Sequence, residues 1–449
     1  MALDNVMTEL ADLYSRHIEQ LQHTAAMALE RAGLDTLVIA SGAEHYQFAD
    51  DRPYNFAVNP HFKHWLPLEI AHSWISYTPG AKPILVYFQP ADYWHLAPAA
   101  PSGYWLEHFD VRVIQDVAQA AQHLPVPGAK IAIVAENDAG LTGFTPNNPD
   151  VLLTYLHFYR AYKSDYELAL MRHAQVRAVR GHRAAEAAFR AEGSEYDIHM
   201  AYVLATGQTE KQLPYGNIVA LNQHCAVLHY QHQRHDKPPQ HLSFLIDAGA
   251  SHLGYASDIT RTYATHTGMF NDLIKAMDVA QLRLCDLVRV GNTNSNIHIA
   301  AHLEIAKILQ DFKLVNMSPE AMLAGGVTHK FFPHGIGHYL GLQVHDVGGY
   351  FKDDRGTLEP KPGGHKYLRL TRELIGNEVI TIEPGLYFID MLLDELAQSE
   401  HAGLVAWSEI DALKHYGGIR IEDDVRVRKS DATHDLGPEN LTRDAFLLA

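Results

Sequence analysis

The stretch from Phe244 to Asp258, FLIDAGASHLGYASD, constrains this chain more than any other. Phe244, Leu245 and Ile246 form a short apolar run that predicts a strand buried on both faces. That strand leads straight into a carboxylate, Asp247. A glycine-punctuated turn between Gly249 and Gly254 then sends the chain back. With His252 and Leu253 at the tip of a regular hairpin, Asp247 and Asp258 are equidistant from it and directly opposed. Opposed residues bring their side chains together on one face, where like charges repel. The pair therefore calls for a cation or a shared proton. The bland alternative is a polar hairpin with two solvated aspartates, and a Phe-Leu-Ile strand rarely ends in open solvent.

A chain of 449 residues is too long for one ordinary core, so two domains are expected. Hydrophobic residues at 47% and charged residues at 20% describe a globular protein with ample core material. The formal charge of -17 argues against a nucleic-acid partner, which would call for a basic face. It suits the holding of divalent cations. Two cysteines, Cys225 and Cys285, leave no basis for a disulfide framework or a cysteine zinc site. No signal peptide or membrane-spanning run is evident, so no membrane association and a cytoplasmic location are expected.

Residues 5–32 carry Leu10, Leu13 and Tyr14 at helical spacing. Apolar runs at 36–40, 74–77, 84–88, 111–114 and 131–134 predict strands of a mixed α/β domain without a catalytic motif of its own. Its aromatic residues Tyr46, Tyr54, Phe56, Phe62, Trp65, Tyr93 and Trp94 are expected mostly in the core, with part left for a pocket or a subunit interface. Ser164 and Glu167 form a capping box that opens a new helix, with Leu168, Met171, Ala174 and Ala178 on one face. The domain boundary is placed just before it, giving domains at 1–162 and 163–449. A Gly/Pro-rich stretch at 348–364 is long enough to be functional or mobile.

Further segments of the second half end in candidate ligands. His334 and His338 stand four apart, as in the HExxH helix of zinc proteases. The glutamate is missing, however, and Pro333, Gly335 and Gly337 oppose a helix. His345 follows in the same glycine-rich stretch. Val379 to Ile382 predict a strand delivering Glu383, with Pro384-Gly385 turning the chain. Period-two alternation sets Ile419, Ile421 and Val425 against Arg420, Glu422 and Asp424. Ala226 to Leu228 lead to His229. Any one of these acids alone reads as a surface residue, and a lone histidine as structural. Asp247, Asp258, His338, Glu383 and Glu422 together make an oxygen-rich set with one imidazole, suited to manganese, or to cobalt, iron or zinc. Five ligands exceed the needs of one tetrahedral zinc and suit two metals about 3.5–4 Å apart.

The order Asp, Asp, His, Glu, Glu resembles the pita-bread metallopeptidases, which include methionine aminopeptidase, aminopeptidase P and prolidase. The likeness runs from Ser164 to about Arg428. DAGASHLGYASDITRT, HGIGHYLGLQVHDVGG, LRLTRELIGNEVITIEPGLYFID and GGIRIEDD are similar to the prolidase and aminopeptidase P branch. DDRPYNFAVNPHFKHWLP resembles the bacterial prolidases that include organophosphorus acid anhydrolases. The resemblance implies an N-terminal α/β domain followed by a pita-bread catalytic domain, an α/β fold overall, and commonly a homodimer. It implies two divalent metal ions, Mn2+ first among them. Asp247 would bind one ion, His338 and Glu383 the other, with Asp258 and Glu422 bridging. Glu383 would also shuttle a proton to the leaving nitrogen, and His345 would stabilise the oxyanion. His229, His334 and Tyr215 would line the substrate pocket. Arg369 would grip the proline carboxylate, and Arg420 would orient or charge-balance Glu422. The implied reaction is hydrolysis of Xaa-Pro dipeptides, with a side activity on organophosphorus esters. The runner-up is an aminopeptidase P acting on longer peptides. A non-catalytic peptide-binding module is a third reading, weakened because such modules have lost the ligands present here. The 348–364 stretch is longer than the corresponding family connections.

Overall fold

The computed structural model describes residues 2–429 and 436–448. The chain divides into two compact units. The first comprises Met1–Arg160, Ser164–Ala169 and Asp353–Thr357; the second comprises Ala161–Lys163, Leu170–Lys352 and Leu358–Ala449.

The first unit opens with helix α1 (Ala2–Ala32), which buries Leu10 and Tyr14 and half-buries Leu13. Strand β1 (Thr36–Ala40), helix α2 (Pro60–Trp65), strands β2 (Trp74–Tyr77), β3 (Ile84–Phe88), β4 (Asp110–Ile114) and β5 (Ile131–Val134), and helix α3 (Asp150–Arg160) follow. These strands lie where the apolar runs predict them. They form one sheet in the order β4-β3-β2-β1-β5, parallel at its two outer pairings and antiparallel between. Val38, Trp74, Val86 and Ile133 pack in its core. The aromatic residues depart from expectation. Phe62 and Trp65 on α2 are buried, whereas Tyr46, Tyr54, Tyr93 and Trp94 are exposed. The exposed four lie in irregular connections, where no periodic face directs a side chain inward.

Helix α4 (Asp165–Arg190) begins at the predicted capping box. The Ser164 N–H donates to Glu167 Oε2 at 2.8 Å, and the Glu167 N–H donates to Ser164 Oγ at 3.3 Å. Helix α5 (Glu195–Thr206) and strands β6 (Ile218–Leu221) and β7 (Ser243–Asp247) follow. Next come the ribbon β8 (Ser251–His252) and β9 (Tyr255–Ala256), and strand β10 (Thr260–Ala264). Helices α6 (Met269–Cys285), α7 (Asn294–Asp311), α8 (Pro319–Ala324) and α9 (Thr328–Phe331) cover this unit. The chain then forms β11 (Val379–Ile382), β12 (Gly385–Tyr387), α10 (Asp390–Ala397), α11 (Trp407–Lys414), β13 (Gly418–Arg420), β14 (Asp423–Arg426), β15 (Glu439–Asn440) and α12 (Leu441–Leu448). The sheets are β10-β7-β6, β11-β14-β15 and β12-β13, and a bridge between Thr260 and Glu422 joins their strands near the carboxylates. No helix among the described residues is long and apolar enough to cross a membrane.

Two expectations about the strands need correction. The hairpin tip is Leu253-Gly254, since His252 pairs with Tyr255. Both tip residues have positive φ, 49° and 94°, as a tight two-residue hairpin turn requires, and Gly254 supplies this without strain. Moving the tip by one residue moves the register by two, so Asp247 stands opposite Thr260 rather than Asp258. A shift of two keeps the same face, so the aspartates still converge. The second correction concerns residues 417–425, which are not one strand. The chain leaves β13 at Arg420 and enters β14, in another sheet, at Asp423.

Candidate metal centre

Each candidate ligand sits where a buried strand or an extended segment ends. Asp247 closes β7, and Asp258 stands two residues before β10. Glu383 follows β11 immediately. His338 lies on an extended segment beside β11, where the Thr381 N–H donates to His338 O at 3.0 Å and Tyr339 bridges Ile380. Gly337 makes that approach possible: a Cβ there would stand 1.9 Å from Thr381 O. Glu422 falls between β13 and β14, facing Thr260, whose hydroxyl donates to Glu422 Oε2 at 2.7 Å. No helix carries His334 and His338, because α9 ends at Phe331.

The structure brings Asp258, His338 and Glu422 together, one ligand atom of each lying within 4.8 Å of the others, and all three are buried. His338 Nε2 stands 3.6 Å from Asp258 Oδ2 and 3.8 Å from Glu383 Oε1. Asp247 lies near enough for its charge to act on Asp258. Burial first, and then the charge of Asp247, push the Asp258 carboxyl up to about 8. Glu383 is likewise pushed up to about 8, chiefly by burial and against the pull of Arg420. Glu422 is likewise raised well above the ordinary carboxylate range, by burial first and then by Asp258 and Glu383. Such crowding of buried acids is relieved by protons or by cations.

The donor set fits divalent cations. His338 Nδ1 stands 2.9 Å from Tyr339 O, so Nδ1 carries the proton and Nε2 keeps its lone pair toward the acids. Asp247 Oδ2 accepts from Arg420 Nη2 at 2.7 Å, while its buried Oδ1 has no protein partner. Oxygen donors with one neutral imidazole are the ligands of hard and borderline divalent ions.

The pattern of Metallopeptidase family M24 matches residues 169–429, a span containing all five candidate ligands. The chain belongs to that family. The Xaa-Pro dipeptidase N-terminal domain pattern matches residues 12–158. A relative named Xaa-Pro dipeptidase from Xanthomonas oryzae pv. oryzae is 54% identical over 98% of this chain and 99% of its own length. Another of that name from Stenotrophomonas maltophilia is 51% identical over 97% and 98%. Zinc-substituted Escherichia coli aminopeptidase P in complex with product has a TM-score of 0.69 at 20% identity, covering 96% of this chain and 95% of that one. Pseudomonas aeruginosa aminopeptidase PepP has a TM-score of 0.69 at 22% identity, covering 97% and 95%. At that identity the likeness is one of fold: a mixed α/β unit followed by a pita-bread catalytic unit. The M24 family carries a binuclear metal site.

The remaining predicted residues of this M24 chain surround the acids. Tyr215 donates its hydroxyl proton to Asp258 Oδ1 at 2.6 Å. The His345 ring packs edge-on against His338, centroids 4.4 Å apart, and burial lowers its imidazole to about 4. His334 is fixed through both nitrogens, with Nδ1 2.8 Å from Gly335 O and Nε2 2.9 Å from the Tyr387 hydroxyl. Nδ1 therefore donates to the carbonyl, and Nε2 accepts from Tyr387. Burial and the Arg420 charge lower His334 to about 3. His229 is exposed, yet its charge bears on both His334 and His345. Arg369 is exposed, has no hydrogen bond or ion pair among the described residues, and acts electrostatically on His338, His345 and Glu383. Among the described residues Arg369 makes no ion pair with Glu373, the acid four positions along the chain.

Arg420 does more than flank Glu422. Its Nη2 holds Asp247, its Nη1 donates to Tyr387 Oη at 3.0 Å, and its Nε donates to Thr260 Oγ1 at 3.3 Å. Sequence reasoning missed Tyr387 and Thr260. Both stand beside named motif residues, but the signal is weak, because a tyrosine and a threonine on strands read first as packing. It also missed the role of Asp424, whose carboxylate accepts from the Asp258 N–H at 2.8 Å and from Gln175, fixing the backbone that presents Asp258.

Proposed function

We propose that the chain is a two-metal hydrolase that cleaves Xaa-Pro dipeptides and releases free proline. The observation that carries this reading is an unpaired Arg369 beside the oxygen-rich cluster, in a chain matched end to end by Xaa-Pro dipeptidases. Asp247, Asp258, His338, Glu383 and Glu422 are the residues that would hold the two ions, with Asp258 and Glu422 the ones that would serve both. The oxygen-rich set favours Mn2+, with Co2+, Fe2+ or Zn2+ as substitutes. When bound, the ions polarise the scissile carbonyl and lower the pKa of a water so that it attacks near neutral pH.

The chain's own groups do the rest. Arg420 holds Asp247 in place and, through Tyr387, sets the His334 tautomer. Glu383 accepts the proton of the attacking water and passes it to the proline nitrogen, which as a tertiary amide has no proton of its own. His345 donates to the oxygen on which charge develops. Arg369 grips the proline carboxylate through its planar fork. His229, His334 and Tyr215 shape the pocket around the residue before proline.

Hydrolysis of Ala-Pro against Ala-Pro-Ala, with manganese restored after chelation, tests the reading. Preference for the dipeptide supports it, and preference for the tripeptide favours an aminopeptidase P activity. A homodimer is proposed, supported by the exposed Tyr46, Tyr54, Tyr93 and Trp94, and sedimentation checks it. A cytoplasmic setting agrees with two free, buried cysteines, and the charge of -17 speaks against nucleic-acid partners. Slow fluoride release from diisopropyl fluorophosphate is expected of the same site, since tetrahedral phosphorus resembles the tetrahedral intermediate of amide hydrolysis. Release equal to that of a metal-free control removes that side activity alone.

A further inference from the structure

A second group of metal-type side chains lies in the catalytic unit, apart from the acids. His298 and His302 stand four apart on α7, so both point from one helix face. His365, at the end of the 348–364 stretch, joins them, and His329, on α9, stands beside the group. One nitrogen each of His298, His302 and His365 lies within 4.8 Å of the others, and all three residues are buried. The His329 ring sits 4.6 Å, centroid to centroid, from both His302 and His365. Phe332 packs on the rings of His298 and His302, closing the group from the apolar side.

The hydrogen-bond accounting is incomplete in a way that suits a metal. His302 Nδ1 meets the Thr328 hydroxyl at 2.9 Å, which leaves its buried Nε2 without any partner. His298 Nε2 stands 2.9 Å from His365 Nδ1, so a single proton holds two lone pairs together. Buried nitrogens without partners are uncommon in folded proteins and ask for an explanation. Burial and the neighbouring imidazoles lower His298 to about 3 and His302 to about 2, so both are neutral, the ligating form. Nitrogen donors at about 2.0–2.1 Å from a tetrahedral ion stand about 3.3 Å apart. His298 Nε2 and His365 Nδ1, at 2.9 Å, are already near that spacing. The other histidine group, His17 with His64 and Glu167, differs: both ring nitrogens of His17 are taken, by Ser164 Oγ and His64 O.

We propose that His298, His302 and His365 form a separate site for a zinc ion, with the neighbouring His329 ring turning in as the fourth donor. An all-imidazole set suits zinc and its borderline neighbours, and suits manganese poorly. The ion takes the place between His298 and His365, the proton shared there moving to the other nitrogen of the ring that carries it so that both imidazoles stay neutral, and it engages the free Nε2 of His302. It pins the end of the long 348–364 connection to α7. This site does not depend on the reading of the carboxylate centre.

The test is a metal count on the full chain, stripped by chelation, reloaded with zinc and passed through a desalting column. A His329→Asn/His365→Asn double variant keeps both α7 histidines and a polar side chain at each changed position, and is expected to fold; His302→Gln removes a donor on α7. Each is expected to hold one zinc fewer per chain than the wild type, whatever number the wild type holds. With cobalt in place of zinc, the visible absorption of a tetrahedral nitrogen site is expected to persist in Asp258→Asn and to vanish in the double variant. Equal zinc content in the wild type and the folded double variant overturns the proposal. So does a cobalt spectrum that follows Asp258 rather than the histidines.

Discussion

Two buried groups of ligand-type side chains share one structural unit, and burial drives them in opposite directions. At the carboxylate centre, desolvation raises Asp258, Glu383 and Glu422 and favours their protonated forms. At the imidazole cluster, desolvation lowers His298 and His302 and favours their neutral forms. The physics is the same in both: a low-dielectric interior disfavours whichever form is charged. The carboxylates therefore gain most from divalent cations, while the imidazoles are ready ligands at any pH above their depressed range. A catalytic centre and a structural staple can thus differ by donor chemistry alone.

The largest expected effect breaks the carboxylate side. Asp258→Asn or Glu422→Gln should reduce Ala-Pro hydrolysis to background, because an amide cannot bridge two cations with two anionic oxygens. Metal analysis and turnover on the same preparation check this, and near-normal turnover with both ions retained would refute the binuclear assignment. His345→Ala comes next. It should lower turnover by about 10²–10³-fold while metal content holds, the usual cost of losing an oxyanion donor. Activity rescued by excess metal would instead make His345 a ligand.

A smaller effect separates binding from chemistry. Arg369→Ala should raise KM for Ala-Pro by about 10–100-fold, the worth of a charge-assisted hydrogen bond. The increase for Ala-Pro-NH2 should be smaller, since the amide never had the full ionic pair. Equal increases for acid and amide would remove Arg369 from carboxylate recognition.

The smallest effect sharpens the imidazole side using histidines outside both clusters. Burial lowers His17 to about 4 and His182 to about 3, below the ordinary value of about 6.5. Below pH 6.5 the unfolded chain gains protons that these folded residues refuse. Stability is thus fully present above about pH 6.5 and is lost as pH falls toward 4. Each such group contributes a slope of up to about 1.4 kcal/mol per pH unit. Urea midpoints followed from pH 7 to 4.5 should lose more in the wild type than in His17→Asn, since the opposite contribution of the raised acids is common to both. A difference between the two chains that does not change with pH would contradict the buried neutral assignment of His17.

Much of this was legible from sequence because it rests on local periodicity. The five strands of the first sheet, the capping box at Ser164 and the strands ending in Asp247 and Glu383 each follow from runs of a few residues. What failed was register. Hairpin geometry around Leu253-Gly254 depends on backbone dihedrals that composition does not show, and a tip misplaced by one residue put Asp258 opposite Asp247. The exposed Tyr93 and Trp94 failed for a related reason, since an aromatic side chain in a loop has no periodic face to direct it.

The sequence by itself determined which residues can do chemistry and which element ends deliver them, because side-chain type and hydrophobic period are local properties. Only the tertiary structure decided which of them meet. Gly337 lets the His338 segment lie against β11, Thr260 meets Glu422 across 162 positions, and Arg420 reaches Asp247 across 173. It also gathered His298, His302, His329 and His365, which no spacing groups together, since the helix, the short turn and the end of a long connection that carry them are brought into contact only by the packing of the core.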